Sequence, residues 1–115
     1  RLPCVLLNHI PFDNHAPDDV TEPKHPYFSY YSNGPEIRGV LEQSEKVRLC
    51  ISGHRHRNQI NLINGIPYVT QQSLTQKIAG KRRPHGAFAM YEIDHQNLKI
   101  TGYGHNQHGF TISYT

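Results

Sequence analysis

No stretch of this chain approaches the ~20 apolar residues that a helix needs to cross a bilayer, and the mean hydropathy is −0.67, so a helical membrane span is not expected. Cysteine is scarce, with Cys4 and Cys50 the only two. Two thiols make no disulfide framework, which sets aside the small secreted scaffolds and favours the cytoplasm. Both cysteines lie in apolar, strand-like runs and are expected to be buried and reduced, behaving as small core hydrophobes. No signal peptide, internal repeat or low-complexity tract is visible. Methionine occurs once, at Met90, and the first residue is Arg1, which leads us to expect a piece of a longer protein. Neither sign of charge dominates: 12 Lys and Arg against 9 Asp and Glu give a net charge of +3, which does not indicate nucleic acid. The small cluster Lys77, Lys81, Arg82 and Arg83 would suit a phosphate-bearing ligand, but the expectation is an ordinary solvated loop.

What is present fits one domain over residues 1–115, long enough for a real but modest core. The pattern is a βαβ unit followed by antiparallel hairpins. Pro3 to Asn8 and Val47 to Ser52 are apolar runs of the kind expected for strands covered on both faces. Residues 10–33 form a long segment with Pro11, Pro17, Pro23 and Pro26 and the aromatic cluster Tyr27, Phe28, Tyr30 and Tyr31, expected to anchor the loop as a hydrophobic plug. Asn33 with Glu36 three residues on predicts a helix start, with Ile37, Val40 and Leu41 on one face and an end near Ser44. Asn64-Gly65 between two β-rich runs predicts a hairpin. Ala87 to Ile93 and Leu98 to Tyr103 alternate across Asp94-His95-Gln96-Asn97, and Phe110, Ile112 and Tyr114 alternate once more.

The chemistry concentrates at two strand ends. One carries Leu6-Leu7-Asn8-His9-Ile10-Pro11 and the other Gly53-His54-Arg55-His56. Two histidines separated by one residue in extended backbone would point to opposite faces, so Gly53 is expected to turn the chain and offer both rings to one site. Neutral imidazole is the commonest protein ligand for transition metals.

In that order, these motifs resemble the C-terminal half of the calcineurin-like metallophosphoesterases, and the resemblance covers most of the chain up to about Tyr103. It implies an α/β fold, half of a four-layer α-β-β-α sandwich. It implies His9 and His54 as ligands of one metal and His56 of the other, with Zn, Mn, Fe or Ni as candidates. Two cations roughly 3.5 to 4 Å apart would hold a bridging hydroxide and neutralise phosphoryl charge, so the reaction implied is hydrolysis of a phosphomonoester or phosphodiester. Arg55, Arg57 and His15 are candidate contacts to the phosphate-ester substrate, with solvated side chains as the plainer reading. His105 and His108 have ligand-like spacing but no Cys or acid beside them, so surface histidines are expected there.

The departures are informative too. The family's N-terminal half supplies an Asp-x-His pair, a bridging aspartate and a Gly-Asn-His motif, none of which stands in the right place here. Asp13-Asn14-His15 spells the first, but it lies in the long loop and is read as coincidence. The chain alone is therefore expected to be inactive, with the missing N-terminal half as its partner. A metallo-β-lactamase-like site is excluded because Arg57, Asn58 and Gln59 follow His56. A barrel amidohydrolase would need about 250 residues. The remaining alternatives are a catalytically inactive fragment or a non-catalytic β-rich binding module.

Overall fold

A computed structural model describes residues 2–13, 31 and 33–114. Contacts divide the chain into two compact units, Arg1–Gln71 and Gln72–Thr115.

The first unit is built from β1 (Cys4–Asn8), α1 (Gly34–Ser44), β2 (Val47–Ser52), β3 (Gln59–Ile63) and β4 (Ile66–Thr70). Its sheet has the order β1-β2-β4-β3, with β1, β2 and β4 parallel and β3 antiparallel to β4. The hairpin between β3 and β4 turns at Asn64 (φ 49°) and Gly65 (φ 82°), the double left-handed pair that a tight two-residue connection requires. One face of this sheet carries Leu6, Cys50, Ile66 and Tyr68, onto which Phe12, Leu41, Val47 and Ile63 pack. On the other face Leu49 and Val69 are buried at the sheet centre.

Four expectations need correction. Cys4 is exposed while Cys50 is buried. The reason is position: β1 lies at the edge of the sheet, and Cys4 is its first residue, ahead of a register irregularity between Cys4 and Val5. For the same reason β1 is not covered on both faces, since Val5 is 45% and Leu7 72% exposed. Asn33 does stand at the helix N-cap, but its side chain makes no capping hydrogen bond. Instead Pro35 fixes the first turn, where a missing N–H is harmless, and the Arg38 guanidinium donates to the Phe12 carbonyl at 2.7 Å. Val40 is 68% exposed, so the packing stripe of α1 runs through Leu41 without it.

The second unit is an antiparallel three-stranded sheet, β5 (Phe88–Ile93), β6 (Asn97–Tyr103) and β7 (Gly109–Ser113), in that order. Alternation puts Leu98 and Ile100 on its buried face. Asp94 closes the β5–β6 turn: its Oδ1 accepts the backbone N–H groups of Gln96 and Asn97, both at 2.7 Å, which holds its carboxyl below the usual range. Gly104 lies against the backbone of Gly86, where a Cβ would come within 2.6 Å of the Gly86 carbonyl oxygen. A glycine is required there by close approach as well as by its φ of 107°. No described helix is long and apolar enough to cross a membrane.

Candidate metal centre

β1 and β2 leave the sheet at the same level. Asn8 faces Ser52 in register, and the next step beyond each strand brings the Gly53 N–H onto the His9 carbonyl at 3.0 Å. Side chains repeat the tie: Ser52 Oγ donates to Asn8 Oδ1 at 3.3 Å, and Asn8 Nδ2 donates to the Ile10 carbonyl. With both exits pinned, the following rings meet. His54 Nδ1 lies 3.1 Å from His9 Nε2, with ring centroids 4.9 Å apart and planes at 76°.

That separation is informative because two nitrogens on one tetrahedral ion, each about 2.05 Å from it, stand about 3.3 Å apart. The pair therefore fits two positions of one coordination shell. It also suits a hydrogen bond from one ring's N–H to the bare nitrogen of the other, so the geometry is self-supporting.

The turn that delivers His54 is not made as expected. Gly53 does not adopt a left-handed backbone, whereas His54 (φ 68°) and His56 (φ 53°) do. Non-glycine residues in this region cost of order 1–3 kcal/mol and persist only where surrounding contacts dictate them. Arg55, the residue between the two histidines, supplies those contacts. Its side chain is only 3% exposed; Nη1 donates to Asp13 Oδ1 at 3.0 Å and to Gln59 Oε1 at 3.2 Å, and Nη2 donates to the Asp13 carbonyl at 2.6 Å. Asn61 Nδ2 donates to the other carboxylate oxygen of Asp13, which is itself fully buried.

The structure thus engages Arg55 with Asp13 rather than leaving it free to meet a substrate phosphate, and makes Asp13, read from the sequence as part of a coincidental Asp-x-His, the anchor of the turn. No local pattern signals this role, since the partners of Asp13 lie 42 and 48 residues away. The carboxylate also reaches Cys50: burial first, and the Asp13 charge second, push its thiol up to about 12. His56 is exposed on the same turn and Arg57 is half-buried. His15, like His25 and the cluster Tyr27, Phe28 and Tyr30, lies outside the described residues. Among the described residues, no group of three or more His, Cys, Asp or Glu side chains is placed to hold an ion. In the second unit, His105 is half-buried with its ring 5.5 Å from that of His85, and His108 is exposed.

A scan of the sequence against protein families and a search of curated proteins match nothing. Solved structures do match. A dimetal phosphatase from Danio rerio superposes at a TM-score of 0.69 with 18% identity, over 98% of this chain and 32% of that one. A predicted phosphoesterase from Streptococcus pneumoniae gives 0.49 with 20% identity over 66% of this chain and 45% of its own. Vps29 of Entamoeba histolytica, in a structure with Zn²⁺, gives 0.46 with 19% identity over 70% and 47%. The chain thus spans about a third of the length of the Danio rerio protein. With nearly all of the present chain superposed on that phosphatase, the chain shares its mixed α/β fold over the part it covers.

Proposed function

We propose that this chain supplies the histidine-rich portion of a binuclear centre that hydrolyses a phosphate ester, as the C-terminal part of one metallophosphoesterase domain spanning residues 1–115. The observation that supports it most is the 3.1 Å approach of His9 Nε2 and His54 Nδ1 at the C-terminal ends of neighbouring parallel strands. His9 and His54 would hold one divalent metal and His56 the second; Zn, Mn, Fe and Ni all accept imidazole. When bound, such metals supply an activated water and neutralise charge on the phosphoryl oxygens. The chain's own residues do the rest. Asp13 and Arg55 fix the turn, Ser52 and Asn8 fix the strand exits, and Arg57 and His15 would meet the substrate phosphate.

Bridging carboxylates would come from an N-terminal portion, so the chain alone binds metal weakly and does not turn over. The free thiols Cys4 and Cys50 accord with a reducing cytoplasm. The test loads the purified chain with Zn²⁺ or Mn²⁺, measures affinity by titration calorimetry and assays an activated phosphodiester. Binding at micromolar or weaker Kd, at least tenfold poorer in His54→Ala, without turnover is the expected result. Absence of metal binding defeats the ligand assignment. Metal-dependent turnover that disappears in His54→Ala and His56→Ala would show that the carboxylates of another portion are dispensable.

A further inference from the structure

Between Glu45 and Glu92 the chain contains no acidic residue, while Lys46, Arg48, Arg55, Arg57, Lys77, Lys81, Arg82 and Arg83 all fall in this interval. Four of these cations share one ordered feature of the second unit. Lys77 bridges Pro84 in antiparallel fashion, and the Ile78 N–H donates to the Arg83 carbonyl at 3.0 Å. The ladder continues below it, with His85 N–H on the Gln76 carbonyl at 2.8 Å and Gly86 N–H on the Leu74 carbonyl at 3.0 Å. The tip is a β-turn closed by Lys81 N–H on the Ile78 carbonyl at 2.9 Å, with Gly80 (φ 74°) at the position that demands a left-handed residue. Ile78 is buried and anchors the loop, while Lys77, Lys81, Arg82 and Arg83 are exposed. Among the described residues, none of these four side chains meets a carboxylate.

Just past the base of this hairpin begins β5, where Phe88 faces Tyr103 of β6 across the ladder. Their rings stack at 5.0 Å and 14° while remaining 57% and 42% exposed, and Met90 beside them on the same face is 54% exposed. Arg83 stands five positions before Phe88, so the Cα atoms of these two residues lie at most roughly 17 Å apart.

Small anions need a concave site with converging donors, which an exposed hairpin tip does not offer. Cations on long side chains at such a tip act instead through their summed field, which rewards a polymer with many phosphates. Flat, solvent-facing rings next to that field suit unpaired bases. A membrane is less well matched, because Ala79 and Gly80 at the tip provide no bulky side chain to insert. We propose that the Lys77–Pro84 hairpin and the Phe88–Tyr103 ring pair form a binding surface for single-stranded nucleic acid, the cations meeting phosphates and the rings stacking on bases.

The experiment measures fluorescence anisotropy of a labelled 15-nucleotide oligouridylate with the whole chain in EDTA, which keeps the result independent of the metal-centre reading. Saturable binding at 50 mM salt is expected, weakening as salt rises. The variant Lys81→Gln/Arg82→Gln/Arg83→Gln, checked for an unchanged melting temperature, should bind at least tenfold more weakly, and the slope of log K on log salt should fall by about 2. Phe88→Ala should weaken binding about fivefold or more with the slope unchanged. No saturable binding at 50 mM salt overturns the proposal, as does equal affinity of the triple variant. Equal affinity for a duplex of the same length removes the role of the rings and also overturns it. Binding to phosphatidylserine vesicles through the same three cations, without binding to the oligonucleotide, assigns the surface to a membrane instead.

Discussion

At the scale of single residues, the turn that carries His54 and His56 depends on the buried ion pair between Arg55 and Asp13. Removing one member of such a pair leaves the other charged in a dry setting, a loss of about 3–5 kcal/mol. Arg55→Met should therefore lower unfolding free energy by about 3 kcal/mol in urea melts; a change under about 1 kcal/mol would mean that Asp13 finds other partners. The same variant should weaken metal binding, because the left-handed backbone of His54 and His56 loses its anchor. Cys50 gives a pH prediction. Its thiol ionises at 9.0 ordinarily and at about 12 here, so between these values the folded chain keeps a proton that the unfolded chain has shed. Stability accordingly falls as pH rises above 9, by up to about 1.4 kcal/mol per pH unit, and Cys50→Ala should flatten that decline in melts at pH 9 to 10. Cys4, being exposed, should react at once with a thiol reagent while Cys50 reacts only on unfolding. That His9 and His54 come together was legible in the sequence because strand-end motifs are local. Asp13 was not, since a buried acid is recognisable only once its distant donors are in place.

At the scale of elements, legibility followed how local the determinants are. β2, β3 and β4 fall where apolar runs and Asn64-Gly65 put them, because a hairpin turn and its flanking strands carry their own instructions. Gly65→Ala meets no steric neighbour, so its penalty is the left-handed backbone alone, about 1–2 kcal/mol, readable in urea melts. A penalty near zero would mean that the turn relaxes into another type. Asn64 adds a tie to the helix, its Nδ2 donating to Glu42 Oε1 at 3.0 Å. Exposure was harder to read than element type. Val40 and Leu41 are equally apolar in sequence, and only the direction of α1 relative to its sheet decides that Leu41 packs and Val40 does not.

At the scale of the whole molecule, β1 is the edge strand of its sheet among the described residues, with Leu2 85%, Val5 45% and Leu7 72% exposed. Unpaired edges with apolar side chains template association. The chain should show concentration-dependent self-association by sedimentation, reduced by Leu7→Lys; a monomer at all concentrations with Leu7 intact would contradict this. The register of that edge has a further consequence. Cys4 pairs with Val47 but Val5 with Leu49, so β2 takes up one extra residue at Arg48 before the strands settle into the phase that sets Asn8 against Ser52. Carried forward without the extra residue, the opening phase would set Asn8 against Ile51 and pull His9 one step out of line with Gly53. The irregularity works as a vernier, converting a mismatch in strand start into alignment at the strand exit. Tolerance to deletion should therefore be lopsided along β2: losing Arg48 can be absorbed by a shift of the strand's frayed beginning, whereas losing a residue between Leu49 and Ser52 dismantles the paired imidazoles while leaving every histidine in the sequence.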